Sequence, residues 1–362
     1  MNISNIFSTF LLIALICTFN NSFSQIYNPD KPKKIAEVFQ WITSNYVDSV
    51  DQEKITKAAI EGMLKKLDPH SVYIPRDKVK EMEEPLTGNF EGVGIQFNIL
   101  KDTIIVVSPI SGGPSEKLGI LSGDKIIYIE TELVAGNGIT NKGVIKRLRG
   151  AKGTIVNVKI KRKGSKKLIP FEIERDKIPI YSVDANYMIN NQTGYIKLNK
   201  FSATTLNEFD DALLMLKEKG MKNLILDLSN NGGGYLQASL MLADYFLSDN
   251  KLILTVNGKT GLKDTYKATP LGSFETGRVV VLIDEGSASA SEIVSGSLQD
   301  HDRAVIVGRR SFGKGMVQKP IYLRDSSMIR LTIKRFYTPS GRCIQKPYDD
   351  GIEKYLSLIH IS

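Results

Sequence analysis

Val279-Val280-Val281-Leu282-Ile283-Asp284-Glu285-Gly286-Ser287-Ala288-Ser289-Ala290-Ser291-Glu292-Ile293 decides how the second half of this sequence is read. Five consecutive apolar residues, four of them β-branched, read as a strand buried on both faces. The run breaks at Gly286 and passes directly into the helical stretch Glu292-Ile293-Val294-Ser295. Outward from this unit the same alternation recurs. Strands are expected at residues 194–198, 224–228 and 304–307, and helices at 206–219, 235–247 and 289–299. Alternating strands and helices imply a largely parallel sheet covered by helices.

Three unusual segments each follow one of those strands. They are Asn230-Asn231-Gly232-Gly233-Gly234, the serine turn 285–291, and Ser311-Phe312-Gly313-Lys314-Gly315. In an open parallel sheet the carboxyl ends of the strands share one edge, and ligands bind there. Right-handed crossovers place consecutive strands side by side. The glycine loop, the serine turn and the lysine are therefore expected to converge.

A serine that opens a helix exposes its hydroxyl beside free backbone N–H groups. Serines at such points are commonly N-caps, but Ser287, Ser289 and Ser291 cannot all be the cap. A nucleophilic serine needs a base. His301, in Gln299-Asp300-His301-Asp302, lies just beyond the end of a helix and reads as a surface or structural residue. Lys314 is the better candidate. An ordinary lysine, with a pKa near ~10.4, is no base at neutral pH, but burial without a carboxylate lowers that value. Phe312, Gly313, Gly315, Met316 and Val317 supply no acid, and Gln318 can hold a neutral amine. Neutral lysine can then activate serine as histidine does elsewhere. A phosphate loop is excluded, because Gly313-Lys314-Gly315 lacks the spaced first glycine and the following Ser or Thr. The glycines 232–234 fit a backbone oxyanion hole or a loose turn.

Between about 88 and 175 the pattern changes to short β-rich runs at 104–107, 125–129, 155–160 and 168–173. Brief helical stretches fit near 115–118 and 141–148. Ahead of this, Ile35, Val38, Phe39 and Ile42, then Ile55, Ala59, Met63 and Leu67, recur at helical spacing. This helical region reads as a packing subdomain or a dimerisation element. Residues 6–19 form an apolar run too short to span a bilayer comfortably, and they suit a signal peptide over 1–25. Export to the periplasm or the outer face of the cytoplasmic membrane is the expectation, with membrane association at most through this segment.

The chain has 362 residues, 42% hydrophobic and 24% charged, enough for several globular domains. Its net charge of +9 is partly local, in the basic stretch 146–167. Aromatic residues do not interleave with these charges, which argues against nucleic acid. His70, His301 and His360 show no ligand spacing, and the cysteines are Cys17 and Cys343 alone. No metal, no other cofactor and, once the leader is removed, no intrachain disulfide is expected.

These motifs resemble the carboxyl-terminal processing, or tail-specific, protease family of serine peptidases over about 33–345. Leu226-Asp227-Leu228-Ser229-Asn230-Asn231-Gly232-Gly233-Gly234 is similar to the family's Asp-Leu-Arg-x-Asn-Pro-Gly-Gly segment, with Ser229 for Arg and Gly232 for Pro. Ser287 to Glu292 resembles its nucleophile segment and Phe312 to Gln318 its base segment, with Lys314 25 residues after Ser289. The resemblance implies Ser289 as nucleophile, Lys314 as general base and Gln318 as its orienting partner. Backbone N–H groups of Gly233 and Ala290 would bind the oxyanion. Residues 88–175 then resemble a PDZ domain. Glu91 to Phe97, with Gly92, Val93, Gly94 and Ile95, are like its carboxylate-binding loop, and a substrate tail would add a strand to the sheet edge. Arg149 is the candidate contact between this domain and the active site. Asp68-Pro69-His70-Ser71 resembles the family's N-terminal helical region, with His70 structural.

The implied architecture is mixed α/β: helices over 33–85, a PDZ-like domain over 86–175 and a ClpP/crotonase-like βαβ protease core over 176–348. Residues 355–362 read as a foreign tail after a truncated core. The implied function is an exported endopeptidase acting near polypeptide C-termini, on substrates with apolar ends, with room for an adaptor protein or a homo-oligomer. A peptide- or ligand-binding protein without proteolysis, on the same fold, is the alternative.

Overall fold

The structure, a computed structural model, describes residues 28–259 and 261–349, with Gly351, Glu353 and Tyr355. The expected signal peptide and residues 356–362 lie outside the described residues. The chain divides into two compact units, split between Gly62 and Met63. The first holds α1 (Asp30–Asn45) and most of α2 (Gln52–Lys65). The helical spacing is as expected, but α1 buries none of its residues, and Ile35, Val38 and Trp41 are exposed.

The second unit opens with β1 (Val72–Ile74), α3 (Arg76–Thr87) and β2 (Asn89–Gly92). The PDZ-like sheet follows: β3 (Ile95–Ile99), β4 (Ile104–Pro109), the short α4 (Pro114–Lys117), β5 (Lys125–Ile129), β6 (Glu132–Leu133), α5 (Asn141–Leu148), β7 (Ile155–Lys161) and β8 (Ile169–Glu174). Strands β3-β4-β5-β7-β8 lie side by side in that order, so β3 is an edge strand. Along β7 buried and exposed residues alternate, as a sheet with one wet face requires. Its apolar face closes a core of its own, with Ile104, Val144, Ile160 and Ile173 almost fully buried.

After β9 (Asp176–Pro179), which pairs with β2, the protease sheet begins. It comprises β10 (Val183–Asn190), β11 (Thr193–Leu198), β12 (Asn223–Asp227), β15 (Val279–Ile283) and β16 (Val305–Gly308), neighbours in that order. The last four run parallel, as expected, and β10 joins antiparallel. Helices α6 (Thr205–Glu218), α7 (Leu236–Asp244) and α8 (Ala290–Asp300) follow β11, β12 and β15. Phe201, Phe209, Phe246 and Leu298 anchor the core at 0% exposure. Buried phenylalanines of this kind contribute about 3–5 kcal/mol each, read as the cost of truncation to alanine.

A second sheet, absent from the sequence reading, brackets the core. It is built from β1, β13 (Leu252–Gly258), β14 (Lys263–Lys267), β17 (Met316–Tyr322) and β18 (Met328–Tyr337). Strands β17 and β18 form a hairpin in which Gln318 lies directly opposite Thr332. The core also runs further than expected. Tyr355, assigned above to a foreign tail, is 1% exposed and stacks edge-on against His70 and Phe312.

Candidate active site

The glycine loop follows β12, the serine turn follows β15 and the lysine loop follows β16, so three neighbouring parallel strands deliver all three segments to one edge. Short bonds then knit them together. Ser287 Oγ donates to Leu228 O at 2.8 Å, and Ala288 N and Ser291 Oγ donate to Asn231 O at 3.0 and 2.8 Å. Phe312 N donates to Ser287 O at 2.9 Å.

Ser289 stands at the N-cap of α8 with φ 56° and ψ −109°. A serine with positive φ outside the small left-handed region is strained, at a cost of order 1–3 kcal/mol. Glu292 holds it there. This carboxylate is only 2% exposed. It accepts from Ser289 N at 2.7 Å and Lys314 N at 2.9 Å on one oxygen, and from Gly313 N at 2.6 Å and Ser311 Oγ at 2.8 Å on the other. Burial raises the Glu292 pKa, and the bonds from Lys314, Ser311, Ser289 and Gly313 oppose that rise. One side chain thus fixes the serine turn and the lysine loop together.

Lys314 Nζ donates to Gln318 Oε1 at 2.9 Å. Among the described residues no carboxylate forms an ion pair with it. Its pKa is lowered to about 8, chiefly by burial and then by the Arg330 cation, against smaller opposing effects of Asp68 and Glu292. Arg330 is half-buried, and its buried Nε has no hydrogen-bond partner among the described residues. Gln318 Nε2 donates to His70 O at 2.6 Å. Burial, then the lysine charge, lowers the His70 ring to about 4.

Gly233 presses against the serine turn. A Cβ on it would lie 2.9 Å from both Ser289 Cβ and Ala290 N, at a φ of +95°. The Gly233 N–H donates to Asn231 Oδ1 at 2.9 Å. Ser229, where the family pattern has Arg, caps Asp227 through its N–H and hydroxyl, at 2.7 and 2.6 Å. Lys197 of the adjacent strand supplies the positive charge, 3.1 Å from Asp227 Oδ1. His301 bonds Leu252 O at 2.7 Å, a structural role as expected.

The PDZ-side residues sit apart from this cluster. Between edge strand β3 and helix α5 runs a groove of about 720 Å³, lined by Phe97, Ile99, Ile105, Val107, Asn141 and Ile145. Gly92, Val93, Gly94, Ile95 and Arg149 do not line it. Val93 is packed in the PDZ core and its carbonyl accepts from Ser115 N and Oγ; the Gly94 carbonyl accepts from Ile110 N. The Arg149 guanidinium pairs with Glu84 of α3 and lies 4.5 Å over the Phe90 ring, so here it ties the PDZ-like domain to α3 rather than to the three loops. Sequence reasoning missed Glu292 as a clasp, and it missed Asp68 and Arg330 as charges that act on Lys314.

Comparison with known proteins agrees with this geometry. The model described as peptidase family S41 matches residues 192–355, a PDZ domain model matches 92–184, and one for the activating protease CtpB N-terminal domain matches 18–78. The carboxy-terminal processing protease CtpB of Bacillus subtilis is 38% identical over 328 residues, 90% of this chain and 67% of that protein. The carboxy-terminal-processing protease of Bartonella bacilliformis is 36% identical over 86% of this chain and 72% of its own length. The chain belongs to the carboxy-terminal processing proteases of peptidase family S41. It is a serine peptidase carrying a PDZ domain. A solved structure of the photosystem II D1 C-terminal processing protease is 27% identical with a TM-score of 0.49, covering 86% of this chain and 89% of that one.

Replacing Glu292 with alanine strands four donors. We expect Glu292→Ala to lose about 3 kcal/mol in urea unfolding and to abolish proteolysis under conditions where the variant remains folded. Gly233→Ala is expected to lower kcat about 100-fold, since its Cβ must displace the Ser289 turn. Wild-type turnover in either variant contradicts the proposed clasp or the tight packing.

Proposed function

We propose that this family member cleaves polypeptides near their C-termini with a Ser289/Lys314 dyad. The observation that carries the reading is Lys314 itself: a buried amine without an ion-pairing carboxylate among the described residues, held by a neutral amide, with its pKa lowered to about 8. Near that pH a large fraction of the amine is neutral, and its lone pair can accept the Ser289 proton. Ser289 Oγ then attacks the scissile carbonyl. The oxyanion forms against Ala290 N–H and Gly233 N–H, the latter exchanging Asn231 Oδ1 for the substrate oxygen. Lys314 returns the proton to the departing amine, which leaves an acyl-enzyme on Ser289. Water, deprotonated by the same lysine, releases the acid product.

The substrate's apolar C-terminus occupies the groove between β3 and α5, its backbone extending the sheet at the β3 edge. The apolar lining by Phe97, Ile99 and Ile145 supports that preference. Residues 1–25 act as an export signal, which places the enzyme in the periplasm or on the outer face of the cytoplasmic membrane. An adaptor protein and self-association through the N-terminal helices are compatible with this reading.

Two measurements check it. Cleavage of an unfolded reporter ending in apolar residues should fall by at least about 1000-fold in Ser289→Ala and Lys314→Ala; wild-type rates in both would remove the dyad. Because the base works in its neutral form, kcat/KM should rise about tenfold per pH unit below 8 and level off above it. A flat profile from pH 6 to 9 contradicts a lysine base.

A further inference from the structure

The turn Asp68-Pro69-His70-Ser71 lies far from Lys314 in sequence and before the PDZ-like domain, yet it reaches the proposed base. Asp68 is 8% exposed and Ser71 5%. Asp68 Oδ1 accepts from His70 N at 2.8 Å, Ser71 N at 2.9 Å and Thr332 Oγ1 at 3.2 Å, and its Oδ2 accepts from Ser71 Oγ at 2.6 Å. Ser71 Oγ in turn accepts from Thr332 N at 3.1 Å. The carboxylate therefore closes the turn on itself and fastens it to β18 at one residue.

Strand β1 also pairs with β18 from Val72 onward, and Thr332 anchors the turn ahead of it. Thr332 is the register partner of Gln318 on β17, and directly opposite residues on paired strands present their side chains to the same face. Fastening the turn to Thr332 places the His70 carbonyl over the Gln318 side chain, 2.6 Å from Nε2. A carbonyl can only accept, so it fixes which end of the Gln318 amide faces it. The amide oxygen is then left pointing to Lys314 Nζ, 2.9 Å away. One N–H of the neutral amine is occupied, which confines its lone pair to the two remaining staggered directions about the Cε–Nζ bond.

We propose that Asp68 is a positioning residue for the proteolytic reaction, acting through the His70 carbonyl on the orientation of Gln318 and so of Lys314. The inference rests on the dyad reading above and extends it to a segment of the chain outside the S41-matched region. Its effect belongs in turnover, because Asp68 lies outside the groove that would hold the substrate tail.

The test is a double-mutant cycle on the full chain, with the same unfolded reporter and thermal melts alongside. Asp68→Ala should lower kcat about 100-fold, the scale of a small misplacement of a reacting group, with KM changed less than about threefold. In a Gln318→Ala background the same substitution should cost less than about threefold more, because the two residues act through one contact. Asp68→Asn keeps the Oδ1 acceptor and should recover most of the kcat lost in Asp68→Ala. If Asp68→Ala lowers kcat equally in the wild-type and Gln318→Ala backgrounds, its role is structural and the proposal fails. Full kcat in Asp68→Ala, with Lys314→Ala inactive, also overturns this proposal and leaves the dyad standing. If Lys314→Ala and Gln318→Ala both turn over like wild type, the dyad reading fails, and this one fails with it. Should Asp68→Ala not fold, Thr332→Val, which removes the hydroxyl that fastens Asp68 to β18, supplies the cycle in both backgrounds, and equal losses in the two backgrounds count against the proposal.

Discussion

The Glu292 carboxylate is the interaction on which the catalytic arrangement depends. It belongs to the first turn of α8, the helix that the serine opens, and it binds the lysine loop as well as the serine's own backbone. A buried carboxylate is tolerated only when its lone pairs are used, and here four donors use them. One of these bonds, from Ser289 N, helps hold Ser289 at a strained backbone angle, and the other three hold the lysine loop. The strain at Ser289 is therefore sustained by the side chain that also brings the lysine loop alongside it.

Around that clasp the electrostatics make it easier for Lys314 to lose its proton. Burial is the larger cause, and the Arg330 cation adds to it. Asp68 and Glu292 are near enough to oppose the shift, but both carboxylates are committed to hydrogen bonds of their own and neither forms an ion pair with Lys314. Gln318 contributes a dipole without a charge. The arrangement resembles a histidine-based triad in roles, with the tuning carried by desolvation instead of by an imidazole's natural pKa.

The three loops at the sheet edge were legible because the signal was local. An apolar strand and a break announce a parallel-sheet edge at 228–234, 285–291 and 311–315, with a helix following in the first two and strand β17 in the third. The sheet of β1, β13, β14, β17 and β18 was not legible: its partners are distant in the chain, and the strands β17 and β18 are polar enough to read as loop. Gln318 and His70 are separated by 248 residues, and nothing near either one announces the other. The mapping of Gly92, Val93, Gly94 and Ile95 followed a loop pattern, whereas the groove lies where the β3 edge faces α5. Tyr355 was read with the segment after it, while its ring packs against residues 70 and 312.

The account turns on one protonation equilibrium, and it can be observed directly. In protein labelled at lysine side chains, the resonance missing from Lys314→Arg identifies Lys314, and its shift can be followed by NMR from pH 6 to 11. The structure predicts a midpoint near 8. A midpoint near the ordinary value of ~10.4 would mean that the neutral amine is scarcely populated even at pH 8, and the central claim would be wrong.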